Sequence, residues 1–580
     1  MANIFPSEAA YRENHDLIRN YTNNSRLLFA LQIKYQIEDI DSVAAECLTD
    51  GPDDRKCDMV YINIENKTAI IAQSYEGQNY GSHSAPGNKA TDLNGAVSWI
   101  LSSNEAELPE RLIPATRSLK TAIINNHIKY FYIWYVHNCN ESDQIKSELK
   151  NVERTAKSLL DQYFLENDVQ VISLEIGINT LEEWYHALNT PILVNDNLLI
   201  DIKGGYEINT ESWKSYITAI PAKILFELYQ KHKTDLFSAN IRDYLGSRNS
   251  DKNINSNIKF TAISDPENFF IYNNGITALV NNYTILSNHQ MQISGVSILN
   301  GAQTSGSIGS LDTSPDANVL VPTRFVHCTN QDILMKIIEY NNTQNKIKPS
   351  DFRSHDRIQK RLRDEFKEIP NTEYNGGRRG SSQDIIRRPT NLMPSDAVAQ
   401  SLASFHGNPT DAYNKKSALW EDDLKYNEIF NDSTSAKHIV FVYSLLRSIE
   451  KFKSLLKQND QTIGLKEIEK EELKFLRERG SILLLLGAIA SSIEVIVDRP
   501  VPNKFALSFS SGVSYIDGIN YWMPIVEATI PYCDALKPAA ISSIQNKDKV
   551  NDAMKLFSRH VASTKAQNQK IFSYFSTNIE

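Results

Sequence analysis

The run Asp50-Gly51-Pro52-Asp53-Asp54-Arg55-Lys56-Cys57-Asp58 leads directly into Met59 to Ile64, and Ala69 to Ser74 follows after the short turn Glu65-Asn66-Lys67. Glycine and proline make the first part a loop. The β-branched and aromatic residues on both sides of the turn make the second part a hairpin. Upstream, Leu17, Ile18 and Tyr21, then Leu27, Leu28, Leu31 and Ile33, recur at helical spacing. Downstream, Ala85-Pro86-Gly87-Asn88 has loop chemistry, and Lys89 to Leu101 reads as a helix with Leu93, Ala96, Val97 and Ile100 on one face. Tyr130 to Val136 and Val169 to Ile176 read as strands, with a charged helix over about 142–166 between them. The alternation of helix, two strands, helix, strand, helix, strand predicts an α/β sheet with helices on its faces.

A chain of 580 residues is too long for one core, and about three to four domains are expected. Its formal charge of -9 argues against a surface coated in basic residues, although a local patch on an acidic protein can still bind phosphates. Cys47, Cys57, Cys139, Cys328 and Cys533 show no C-x-x-C spacing, so neither a structural zinc site nor a disulfide framework is expected, and a reducing cytoplasm fits best. The start of the chain has no basic stretch followed by an apolar run, as a secretory signal would. The most apolar segment, 482–497, is interrupted by Ser491, Ser492 and Glu494 and predicts a buried helix, with no membrane partner.

An acidic loop entering one strand, with a polar residue at the end of the next, is the arrangement that metal-dependent nucleases need, because carboxylates at adjacent strand ends hold a divalent cation against their mutual repulsion. It also suits a plain solvated loop in which Asp54 or Asp58 caps a turn. The block resembles the restriction-endonuclease-like PD-(D/E)xK fold, in the subgroup with glutamine at the second acidic position. That resemblance implies Asp58 and Gln73, assisted by Asp54, near Mg²⁺ (or Mn²⁺). It also implies a lysine two residues after Gln73, where this chain has Tyr75, so Lys89 at the start of the next helix is the candidate for a displaced lysine.

In the middle of the chain, Asn274-Gly275 and Asn300-Gly301 predict two hairpin turns. Val319 to His327 alternates as a strand, and Pro322 predicts an edge position for it. Hairpins do not require the amides that crowd there. The order Phe269…Asn273-Asn274-Gly275-Ile276-Thr277, Asn300-Gly301-Ala302-Gln303-Thr304, then Asn341-Asn342-Thr343-Gln344-Asn345 with Asp351-Phe352-Arg353, resembles the AIPR (abortive infection phage resistance) family over roughly residues 40–390. The resemblance implies a bacterial anti-phage protein. Asn273, Asn274, Asn300, Gln303, Thr304, Asn342 and Gln344 are its ligand-reading or turn-stabilising candidates. Arg242 suits a phosphate fork or a buried salt bridge. From Lys346 to Arg388 there are twelve Lys and Arg against seven acids. With Arg353, the loop Gly376-Gly377-Arg378-Arg379-Gly380 is the candidate nucleic-acid contact, though an ordinary turn would explain the loop as well.

The expected organisation is an α/β restriction-endonuclease-like domain over 1–205, an α+β AIPR core over 206–390 and a mainly α C-terminal region over 391–580. The expected function is metal-dependent cleavage of nucleic acid, DNA before RNA. The alternative is an inactive nuclease-like module in a protein whose middle domain binds nucleic acid, nucleotide or a phage component. A phage-derived trigger is an expected partner, and the oligomeric state is left open.

Overall fold

The computed structural model of the chain describes residues 4–35, 37–49, 55–81, 83–164, 168–189, 192, 194–232, 236–237, 251–287, 289–330, 333–334, 336–338, 353, 356–376, 389–510, 512–541 and 544–580. Two compact units divide it: one joins 9–178 with 348–580, and the other contains 4–8 and 179–347. The units do not follow the expected cuts at 205 and 390, because the N-terminal sheet packs with the C-terminal helices in one body.

Helices α1 (Ser25–Tyr35) and α2 (Ile40–Cys47) precede β1 (Met59–Asn63) and β2 (Thr68–Tyr75). After α3 (Gly87–Ser102) come β3 (Tyr130–His137), α4 (Asp143–Tyr163) and β4 (Gln170–Ile176). The sheet order is β1-β2-β3-β4, with β1 antiparallel to β2 and the other pairs parallel. Each parallel step needs a crossover, which α3 and α4 supply. Val60, Ile71 and Ile133 share one buried core with Leu93 and Val97 of α3 and Leu149 of α4. Trp134, one residue out of phase on β3, stacks on Tyr35 of α1, as period two requires.

The second unit holds β5 (Val194–Asp201), β6 (Gly205–Asn209), β7 (Trp213–Pro221), α5 (Ala222–His232), an unnumbered helix Asp251–Ser264, β8 (Ile276–Leu279), β9 (Asn282–Ser287), β10 (Gln290–Asn300), α6 (Ala302–Gly309) and β11 (Leu320–Cys328). Its sheet runs β5-β10-β8-β11-β7-β6, and β9 pairs with β10. Two expectations fail here. The Asn-Gly pairs are sharp reversals, with φ of 76° at Gly275 and 90° at Gly301, but neither joins two strands. Gly275 lies between a single helical turn, Phe269–Tyr272, and β8, while Gly301 caps α6. Four apolar residues are too few to distinguish strand from helix by periodicity. The strand carrying Pro322 is interior, between β8 and β7. The proline is tolerated because β8 pairs only from Thr323 onward, leaving Pro322 against Gly275 just outside that ladder.

The chain returns to the first unit with α7 (Ser395–Phe405), α8 (Ala436–Thr462), α9 (Glu467–Arg477), α10 (Ser481–Ser491), α11 (Tyr515–Thr529), α12 (Lys547–Ser563) and α13 (Gln569–Thr577). The apolar segment 482–490 is wholly buried, in the core that holds Trp522 and Phe441. No helix among the described residues is long and apolar enough to cross a membrane. Polar ties join this region to α2 and to β1. The Arg447 guanidinium donates to both oxygens of Asp39 at 2.9 Å, Ser42 Oγ donates to Glu450 at 2.6 Å, and Arg479 donates to the Val60 carbonyl at 2.7 Å.

Candidate functional site

The hairpin register ends with Met59 opposite Ala72; Asp58 lies one residue before that pair and Gln73 one residue after it, at the open end of the hairpin. Asp58 is fixed on three sides: its N–H donates to the Ala72 carbonyl at 2.9 Å, its carbonyl accepts from Thr49 N–H at 3.0 Å, and its Oδ2 accepts from Ser74 N–H at 2.6 Å. The short contact to a backbone donor orients the carboxylate.

Gln73 is 3 % exposed, and among the described residues its buried Oε1 has no hydrogen-bond partner. An amide oxygen removed from water and left unpaired costs stability, and such a group in a folded protein calls for an explanation. Across the parallel ladder Gln73 is in register with Tyr135, and Tyr135 with Glu175, giving a polar row Gln73, Tyr135, Glu175 over three strands. The Tyr135 hydroxyl donates to the Pro86 carbonyl at 3.2 Å, and the same carbonyl accepts from Lys89 N–H at 3.2 Å. Lys89 therefore lies in the first turn of a helix anchored to the strand beside Gln73. Burial first, then Cys139, raises the Tyr135 phenol well above its ordinary pKa, which keeps it a neutral donor. Glu175 accepts from Ser142 N–H at 3.1 Å and contacts His137 Nε2 at 3.2 Å, so it caps the start of α4. Tyr135 escaped sequence reading because a parallel register leaves no local signal, although its phase within β3 marks its face.

Tyr75 is on the same face as Gln73 and packs against the apolar core. Glu76 accepts from Arg26 Nε at 2.8 Å and Asn138 Nδ2 at 2.9 Å. Among the described residues, no group of three or more His, Cys, Asp or Glu side chains is placed to hold a metal ion. Asp54 lies outside the described residues. The donors that remain, a carboxylate and an unpartnered amide oxygen, are hard oxygen ligands of the kind Mg²⁺ accepts while it keeps several waters.

The central amides divide. Asn273 Oδ1 accepts from Gly275 N–H at 2.8 Å and from the Thr304 hydroxyl at 3.2 Å, tying the two Asn-Gly reversals together. Asn300 is half-buried beside them, while Asn274 and Gln303 are exposed. Exposed Phe260, Ile263, Ile271 and Tyr272 belong to the same unit. Asn342, Gln344, Arg242, Arg378 and Arg379 lie outside the described residues. Arg353 has partners inside the protein: Nε donates to the Trp420 carbonyl at 2.9 Å, its guanidinium pairs with Asp423, and it lies 4.4 Å over the Tyr426 ring.

The architecture is thus that of a two-unit protein in which a small mixed α/β sheet and a helical bundle form one body and a seven-stranded α+β unit forms the other. The chain belongs to the AIPR protein family, whose model matches residues 237–569, more than half of its length. The match begins well after the expected residue 40 and runs through the C-terminal helices, past the expected end at 390. No curated protein and no solved structure matches the chain. Family membership points to abortive-infection defence against phage.

Proposed function

We propose that this AIPR protein is a metal-dependent nuclease whose N-terminal sheet has the restriction-endonuclease-like fold and cuts phosphodiester bonds in nucleic acid, DNA before RNA. The observation that carries the reading is at the open end of the β1–β2 hairpin, where the Asp58 carboxylate is held by the N–H of Ser74, next to Gln73, whose buried amide oxygen has no hydrogen-bond partner among the described residues. Asp58 and Gln73 would hold a divalent cation such as Mg²⁺, which when bound would supply charge neutralisation at the phosphate and a more acidic water. Ser74 N–H holds Asp58 in one orientation for that role. The hydrogen bonds through Pro86 locate the first turn of α3, from which the Lys89 ammonium would offset the charge that develops on the phosphate oxygens. A phage-derived signal would be read elsewhere on the chain.

A second reading has its own support. Tyr75 occupies the position of the expected lysine and is packed into the core, as in a module that has kept the fold and lost the chemistry. Incubation of the purified full-length protein with Mg²⁺ or Mn²⁺ and plasmid, single-stranded DNA or RNA separates the two. Under the nuclease reading at least one substrate is cut, and Asp58→Ala lowers the rate by at least about a hundredfold, the scale of losing a group that acts only in the transition state. No cleavage, or equal cleavage by Asp58→Ala, leaves the inactive module.

A further inference from the structure

In the second unit, the helix Asp251–Ser264 and the helical turn Phe269–Tyr272 bury one side and leave the other in water. Ala262 and Phe269 are buried in the core of that unit, and Ile258 packs against it. Phe260, Ile263, Phe270, Ile271 and Tyr272 take the other side and are 41–72 % exposed. Phe260 and Ile263, three apart on a helix, share a face. The turn between the two elements is tight: Asn268 N–H donates to the Asp265 carbonyl at 3.3 Å, and Asn268 Nδ2 donates to the Asp265 carboxylate at 2.9 Å. Large side chains of about 200 Å² each, exposed to this degree, leave about 600 Å² of apolar surface within thirteen residues, at the upper end of what a monomer shows.

Charge narrows what can cover this surface. In the stretch 257–275 the charged residues are Lys259, whose ammonium donates to the Ser310 carbonyl at 3.1 Å, and the acids Asp265 and Glu267. Nucleic acid and anionic lipid both call for a basic surface. An aromatic and aliphatic centre depleted of charge has instead the composition of a homodimer core. Exposed Asn274 and Gln303 continue it as a polar rim, because the bond from Thr304 to Asn273 brings the start of α6 beside the turn. The area points the same way. A patch of about 600 Å² met by its own copy buries about 1,200 Å² in total, the lower bound for a specific interface. A two-fold axis supplies the matching surface from the same residues.

We propose that this face joins two copies of the chain in a two-fold dimer, with Phe260, Ile263, Ile271 and Tyr272 at its centre.

Sedimentation velocity of the full-length protein from nanomolar to high-micromolar concentration tests the assignment, with near-ultraviolet circular dichroism as the check on folding. The parent should sediment as a dimer of the 65.7 kDa chain that dissociates on dilution. Ile271→Lys and Ile263→Lys should each weaken that dimer at least tenfold with the dichroism unchanged, because both side chains already face water in the single chain. Leu424→Lys, comparably exposed in the first unit, should leave it intact. A parent that stays monomeric throughout overturns the proposal, and so does a dimer that neither variant weakens. Two other occupants would overturn it as well. Loss of the near-ultraviolet spectrum in both variants assigns the face to packing within the chain, and binding of a monomeric parent to phosphatidylserine vesicles, abolished by Ile271→Lys, assigns it to a membrane.

Discussion

Gln73 occupies a position that the strand's own alternation reserves for an apolar side chain, since Ala69 and Ile71 precede it on the same buried face. An amide there leaves an oxygen unpaired, a cost of about 1–3 kcal/mol. Gln73→Leu has nearly the same size and removes the unpaired atom. Its urea midpoint should equal or exceed that of the parent, while any Mg²⁺-dependent cleavage disappears. A lower midpoint would mean that the amide is structural, and retained cleavage would remove it from the site. Asp58 and Gln73 were both legible as residues, because an acidic loop, a strand and a turn are local features. That Oε1 is unpartnered was not, since only the packing of α3 and β3 around it decides which acceptors and donors come near.

At the level of elements, the two Asn-Gly reversals behave as one joint. A Cβ on Gly301 would stand 2.6 Å from the Gly275 carbonyl oxygen, and one on Gly275 would stand 2.2 Å from that of Pro322. Both glycines also have positive φ, which side chains oppose. Gly301→Ala therefore combines a left-handed penalty with a backbone clash and should destabilise the unit by about 2–4 kcal/mol, read as a lower denaturant midpoint with unchanged m-value. A cost below about 0.5 kcal/mol would refute this joint. The sequence revealed the positive φ through the Asn-Gly pairs. It could not reveal that a helical turn and a helix flank them, because runs of four apolar residues fit either period.

For the whole molecule, the division into 9–178 with 348–580 has a direct consequence. Residues 1–205 alone would lose Arg447 from Asp39, Glu450 from Ser42, Arg479 from the Val60 carbonyl and Glu478 from Arg117. Breaking buried pairs by removing one partner costs several kcal/mol in total, comparable to the net stability of a domain. The 1–205 fragment should accordingly lack a cooperative thermal transition and near-ultraviolet circular dichroism, and co-expression with 348–580 should restore both. A cooperative fold of 1–205 on its own would contradict the division. The sequence by itself determined the elements of the N-terminal sheet, the helical nature of the C-terminal third, the acidic strand entry at Asp58 and the family motifs, because periodicity, turn residues and side-chain chemistry are written locally. Only the tertiary structure decided that the first and last thirds form one unit, that Pro322 sits inside a sheet, and that Arg353 is held by Asp423 and Tyr426. Each of these depends on residues far apart in the chain that meet only when burial of the apolar faces brings them together.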